Sequence, residues 1–225
     1  MDEEVFNSLS DRKKRVLLHL ESELDSPLGS AEYIITDREL GEPDPVDFVL
    51  MEPSEEFDYY YLSTVGLSKY RFENNAGSEI GIILPNTFVG NFTRIESRWP
   101  LDLLSAVAYS AVDNMVPVSL LRIYQVDEED RNEYGGNLGG VVVLPEYMNA
   151  SFLEELIEGS YTRFFVFVPI NSIQLAKAQD VGIREFVEYD LHDVSGPTFV
   201  ANYDAPKVNT TLQKIINHNM KNLKK

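Results

Sequence analysis

Three histidines, His19, His192 and His218, are the only imidazoles in the chain that can move a proton or bind a metal at neutral pH. None stands at a metal-ligand spacing such as His-Glu-x-x-His. His192 lies between Asp190 and Asp193, and a carboxylate can orient an imidazole for acid–base work. No nucleophile motif accompanies it: there is no Gly-x-Ser-x-Gly elbow and no Ser-x-x-Lys. His19 falls in a helical stretch and His218 in a lysine-rich one, where each reads as a surface or boundary residue. The chain has no cysteine, which excludes disulfides, thiolate zinc sites, iron–sulfur clusters and cysteine nucleophiles.

Gly135-Gly136-Asn137-Leu138-Gly139-Gly140 has the look of a phosphate loop. Such a loop needs a Lys-Ser/Thr pair and a following helix. Here Val141-Val142-Val143-Leu144, a strand sequence, follows, and acids precede the glycines, so a hairpin connection is the reading. Asp127-Glu128-Glu129-Asp130 lacks the alternating Asp spacing of a calcium loop. With Glu133 it forms a dense acidic loop suited to docking a basic partner. Tyr59-Tyr60-Tyr61 sits in a strand pattern, and alternate residues of a strand face opposite sides. Tyr60 is expected in the core, with Tyr59 and Tyr61 exposed as an aromatic pair for an interface. The sequons at Asn91, Asn149 and Asn209 carry no meaning without a secretory leader. No catalytic residue, cofactor or bound metal is expected.

The elements that position these residues follow from periodicity. Val16, Leu17, Leu20 and Leu24 put one apolar face on a helix over Asp11–Leu24, stopped by Ser26-Pro27-Leu28-Gly29-Ser30. Strands are predicted over Ala31–Thr36, Val46–Met51, Phe57–Val65, Glu79–Leu84, Ser119–Val126, Val141–Leu144 and Thr162–Ile170. A largely apolar helix is predicted over Trp99–Val112, with Pro100 in its first turn. Ser151–Glu158 reads as a short helix. Asn171 reads as the cap of another helix that runs to about Asp180, with Gly182 beyond its end. Val208, Leu212, Ile215, Ile216 and Leu223 mark a last amphipathic helix. Strands and helices mix without regular alternation, which favours an α+β fold with a mixed β-sheet covered by helices. The division expected is 1–194 as one α+β domain and 195–225 as a basic helical segment.

The chain of 225 residues carries a formal charge of −18 with a pI near 4.5. Lys207–Lys225 holds five lysines and no acid; 14 basic and 37 acidic residues remain outside it, about −23 on Met1–Pro206. Such acidity argues against nucleic acid as a partner. It favours a protein partner with a basic surface. No apolar run approaches the ~20 residues that span a bilayer, and the acidic start, Met1-Asp2-Glu3-Glu4, does not read as a secretory signal. A cytoplasmic protein without a membrane role is expected.

Several segments, in order, carry a resemblance. Glu42-Pro43-Asp44-Pro45-Val46-Asp47-Phe48 resembles the Pro-Asp-Pro segment of Suppressor of fused proteins. Tyr61–Ser68, ending in Gly66-Leu67-Ser68, is similar to that family's strand and Gly-Leu-Ser turn. Ser78-Glu79-Ile80-Gly81 resembles its Glu-led strand, Trp99-Pro100 its Trp-Pro helix start, and Phe165–Ile170 its late strand. The resemblance spans roughly Asp37 to Val194. After the Trp-Pro helix the chain departs from it, with Met115-Val116-Pro117-Val118 in place of a polar turn.

These motif residues have structural roles first. Gly66 can adopt a backbone conformation closed to side chains, Ser68 can bond local backbone, and Glu79 is placed to bond the same turn. The resemblance implies an α+β domain with no catalytic residue. It implies binding of another protein: eukaryotic members restrain zinc-finger transcription factors, and bacterial members look like immunity proteins that neutralise secreted toxins. Two functions are therefore expected to compete: immunity protein against a toxin domain, and intracellular scaffold gripping a host protein's peptide.

Overall fold

The computed structural model describes residues 1–35, 45–55, 58–70, 76–88, 92, 95–114, 118, 121–126, 138–145, 152–154 and 161–187. Their elements, in chain order, are α1 (Glu3–Ser8), α2 (Asp11–Leu24), β1 (Glu32–Ile34), β2 (Asp47–Met51), β3 (Tyr59–Val65), a 3-10 turn (Leu67–Lys69), β4 (Ala76–Pro85), α3 (Ile95–Asn114), β5 (Ile123–Gln125), β6 (Leu138–Pro145), β7 (Phe152–Glu154), β8 (Tyr161–Asn171), α4 (Ser172–Val181) and α5 (Ile183–Glu185). The fold is α+β, a mixed sheet with helices. The predicted C-terminal helix and the segment 195–225 lie outside the described residues.

The chain divides into two compact units: Met1–Asn86, Pro100–Val118 and Met148–Phe165 make the first, and Thr87–Trp99, Ser119–Tyr147 and Val166–Lys225 the second. In the first, β1, β2, β3 and β4 form an antiparallel meander. Asp47 faces Val65, Val49 faces Ser63 and Met51 faces Tyr61 across β2 and β3. Because side chains alternate along a strand, Asp47, Val49 and Met51 share one side with Tyr61 and Val65. That side receives α2. Val16, Leu17, Leu20 and Leu24 form the core with Val49, Met51, Tyr61, Val65 and Phe164. The opposite side, with Phe48, Leu50, Leu62, Ile82 and Leu84, is buried as well.

Helix α2 has the predicted bounds. Asp25, at φ 47°, ends it in the left-handed conformation, and the Ser54 hydroxyl donates to the Leu24 carbonyl at 2.7 Å. Helix α3 begins earlier than expected, at Ile95, so Pro100 lies inside it rather than in its first turn. Proline there withholds an N–H from the helix ladder, and burial of Trp99, Leu101, Leu104, Ala108 and Ala111 holds the helix regardless.

Two readings are overturned. Phe152–Glu154 is a strand, not a helix: Phe152, Leu153 and Glu154 pair with Arg163, Thr162 and Tyr161 of β8. Helix propensity is a weak preference that a ladder partner overrides. Gly139 and Gly140 lie within β6 rather than in a hairpin connection.

In the second unit β6 stands between β5 and β8, and α4 follows β8 directly. Asn171 caps α4 as expected. Its side chain accepts from the Gln174 N–H at 2.9 Å, and the Gln174 side chain accepts from the Asn171 N–H at 2.7 Å. A Cβ on Gly139 would lie 2.7 Å from the Asn171 backbone, so only glycine lets the start of α4 approach this strand. Ahead of β5, the N–H of Leu121 donates to the Val143 carbonyl while the Val143 N–H donates to the Arg122 carbonyl. Two residues thus oppose one, a β-bulge, with Leu121 at φ 53° in the position that glycine usually fills.

Candidate functional site

The strongest convergence of polar groups in the first unit is at the end of β3. Gly66 leaves the strand at φ 107°, ψ −2°, a region that side chains seldom enter. This turns three successive N–H groups inward. Glu79, on β4, fills the concavity with its carboxylate. Oε1 accepts from the N–H groups of Gly66 and Ser68, each at 3.0 Å. Oε2 accepts from the Leu67 N–H at 3.2 Å and from the Thr64 hydroxyl at 2.6 Å. Thr64 in turn accepts from the Ile80 N–H at 2.9 Å. Gly77 keeps β4 against the turn, since a Cβ there would lie 2.4 Å from the Ser68 carbonyl oxygen.

Glu79 is fully buried. Burial pushes its carboxyl above the usual range, against the pull of hydrogen bonds from Thr64, Ser68 and Gly66. With four donors on two oxygens and no solvent contact, this carboxylate can organise a turn. It has no route to a substrate proton.

A second buried charge system grips the same turn from the α2 side. Lys13 donates to Asp47 Oδ2 at 2.7 Å, and the Tyr33 hydroxyl donates to the same oxygen at 2.8 Å. Both charged side chains are buried. The lysine stem crosses Gly66, where a Cβ would come within 2.9 Å of Lys13 Cε.

The residues singled out from the sequence distribute unevenly. Gly66 and Glu79 come together as expected; Ser68 joins them through its backbone N–H rather than by a side-chain bond to local backbone. Tyr61 does not belong to an exposed pair. It is 1% exposed, in the core under α2, with its ring across Gly81. Tyr59 and Tyr60 are both half-buried. Alternation held, but the strand has cover on both sides, so neither parity is free. Trp99 and Pro100 are buried. Pro45 is half-buried, its carbonyl close to Gly66. Pro43, Asp44, Asp127, Glu128, Glu129, Asp130 and Glu133 lie outside the described residues, as do His192 and His218. His19 is half-buried and stacks on Phe164, ring centroids 4.8 Å apart. Among the described residues no three His, Cys, Asp or Glu side chains gather as a metal site, and no helix is long and apolar enough to cross a membrane.

Gly66, Ser68, Glu79, Trp99 and Pro100 are thus internal scaffolding, the kind of feature that marks a family. Residues 42–202 match the family described as Suppressor of fused protein (SUFU), and the chain belongs to that family. No curated protein matches it by sequence. Among solved structures it is similar to the putative SUFU homolog from Neisseria gonorrhoeae FA 1090, with 15% identity, a TM-score of 0.55, and coverage of 82% of this chain and 91% of that one. It is also similar to a chain of "the Sufu-Fu complex crystal structure", with 16% identity, a TM-score of 0.58, and coverage of 84% and 88%. At such identities these likenesses establish the fold.

The sequence does not mark Lys13 or Thr64, and it marks Asp47 only as one acid of the Pro-Asp-Pro stretch, where the structure instead buries it against Lys13. Lys13 sits in the run Arg12-Lys13-Lys14-Arg15, which has the composition of a solvated face. The available signal was spacing: Lys13 lies three, four and seven residues before Val16, Leu17 and Leu20, on the apolar stripe itself.

Proposed function

We propose that this chain acts by gripping another protein, without catalysis, and that its partner is a toxin domain that it neutralises in the cytoplasm. The observation that carries protein binding is membership of the SUFU family, together with a neighbour of like fold whose solved form is a complex, Sufu with Fu. The acid excess supports the finer reading. A formal −18 suits a basic partner, and many toxins that act on nucleic acids are basic, so an acidic inhibitor gains association rate and selectivity. The buried state of Glu79, Lys13 and Asp47 fits a molecule whose charged motif residues serve the scaffold.

The test is neutralisation. A gene for a large secreted protein is expected beside this one. Its C-terminal domain, expressed alone, should arrest growth. Co-expression of this chain should restore growth, and the two should purify as a stoichiometric complex. Unrelieved toxicity, with this chain instead forming a complex with a host protein unrelated to secretion, would move the function to a scaffold.

A further inference from the structure

The Gly66 turn presents successive backbone N–H groups to one point. Concavities of this form bind anions because the N–H dipoles converge on them. Here the occupant is a side chain of the same protein: both Glu79 oxygens are ligated, by Gly66, Leu67, Ser68 and Thr64, at 2.6–3.2 Å. The pocket is enclosed. Leu67, Ser68, Thr64 and Glu79 are all buried, and the Lys13 stem closes the Gly66 side. A carboxylate held only by donors, with no cation on it among these contacts, is bound as a ligand is bound.

We propose that the Gly66–Ser68 turn is a built anion site whose resident ligand is the Glu79 carboxylate, so that the site emptied of this side chain takes a small free carboxylate of the formate or acetate class. The turn's shape then depends on an anion being present, not on the covalent tether that delivers it. Removing the side chain beyond Cβ leaves the four donors facing a cavity sized for one carboxylate. Burial disfavours the charged form here, so what selects formate over formamide is the number of acceptors: both carboxylate oxygens accept, whereas an amide turns an NH2 toward N–H donors.

The experiment uses the full chain at pH 7.5. Thermal and urea unfolding of E79A are followed with increasing sodium formate, with sodium chloride at matched ionic strength, and with formamide. Formate should stabilise E79A saturably, lowering its unfolding equilibrium constant roughly tenfold at ten times the dissociation constant. Wild type, whose site is filled, should not show this gain. A response to chloride or formamide equal to that for formate, or an equal response in wild type, overturns the proposal. If E79A does not fold at any formate concentration, E79Q decides through amide exchange. The Gly66, Leu67 and Ser68 amides should lose protection at least tenfold more than the amides of β2, and unchanged protection at those three positions overturns the proposal.

Discussion

Glu79 does two opposed things at once: it satisfies backbone donors that no water can reach, and it places a carboxyl in a site without solvent. Burial wins, raising the carboxyl above its ordinary 4.5. A carboxyl raised on folding takes up protons as the chain folds. Its stabilising share is whole below the ordinary value and is lost as pH climbs through the raised one. E79Q turns an amide NH2 toward N–H donors and should cost about 1–3 kcal/mol. Measured by urea unfolding across pH, that cost should shrink as pH rises from about 4.5; a cost that grows would show that the donors outweigh burial. The Lys13–Asp47 pair behaves differently. K13M strands a buried carboxylate and should cost about 3–5 kcal/mol, whereas K13M/D47L should recover part of the loss. Strict additivity of the two single substitutions would contradict that coupling. Glu79 was legible because a lone acid opening an apolar strand after a Gly-Leu-Ser turn has few other uses. Lys13 was not legible, because a basic tetrad hides its one buried member unless the helix phase is counted.

At the scale of elements, packing decides where local preference is weak. Helix α2 was readable to its ends, since a four-residue apolar stripe and a run of turn formers agree. Leu20, fully buried in the core under this helix, should cost about 2–5 kcal/mol when changed to alanine. A loss below 1 kcal/mol in urea unfolding would mean that α2 is not the cover of the β2–β3 face. Leu153-Glu154-Glu155-Leu156 has helical composition and so predicts a helix where β7 stands; the pairing that makes it a strand comes from β8, seven or more residues later. Glycines in β6 misled for a related reason. They signal a turn locally, yet the backbone of Asn171 requires Gly139 from a distance of 32 residues. Gly139→Ala should therefore destabilise by about 1–3 kcal/mol through overpacking, while Gly29→Ala, with open space around its Cβ position, should be neutral or slightly stabilising. Equal effects at the two sites in thermal unfolding would remove the close-approach explanation.

For the whole molecule, order and spacing of weak motifs identified the family where no single motif sufficed. What they located was the scaffold, because the residues a fold must keep are those it buries. A binding surface built of charge has no comparable local signal, because solvated acids need no fixed spacing to produce a field. We propose that the field of the acid excess serves association with a protein. Once the partner is in hand, its association rate with this chain is measured by stopped flow across a salt series. The native chain is compared with a variant in which Asp127, Glu128, Glu129, Asp130 and Glu133 are changed to their amides. At physiological salt the screening length is ~8 Å, so charges that stay solvated in a complex act mainly on encounter. The prediction is an association rate that falls with salt in the native chain, slower by about tenfold and with a flatter salt dependence in the variant, while dissociation changes little. An association rate indifferent to salt in both proteins would contradict it and leave the acidity a matter of solubility alone.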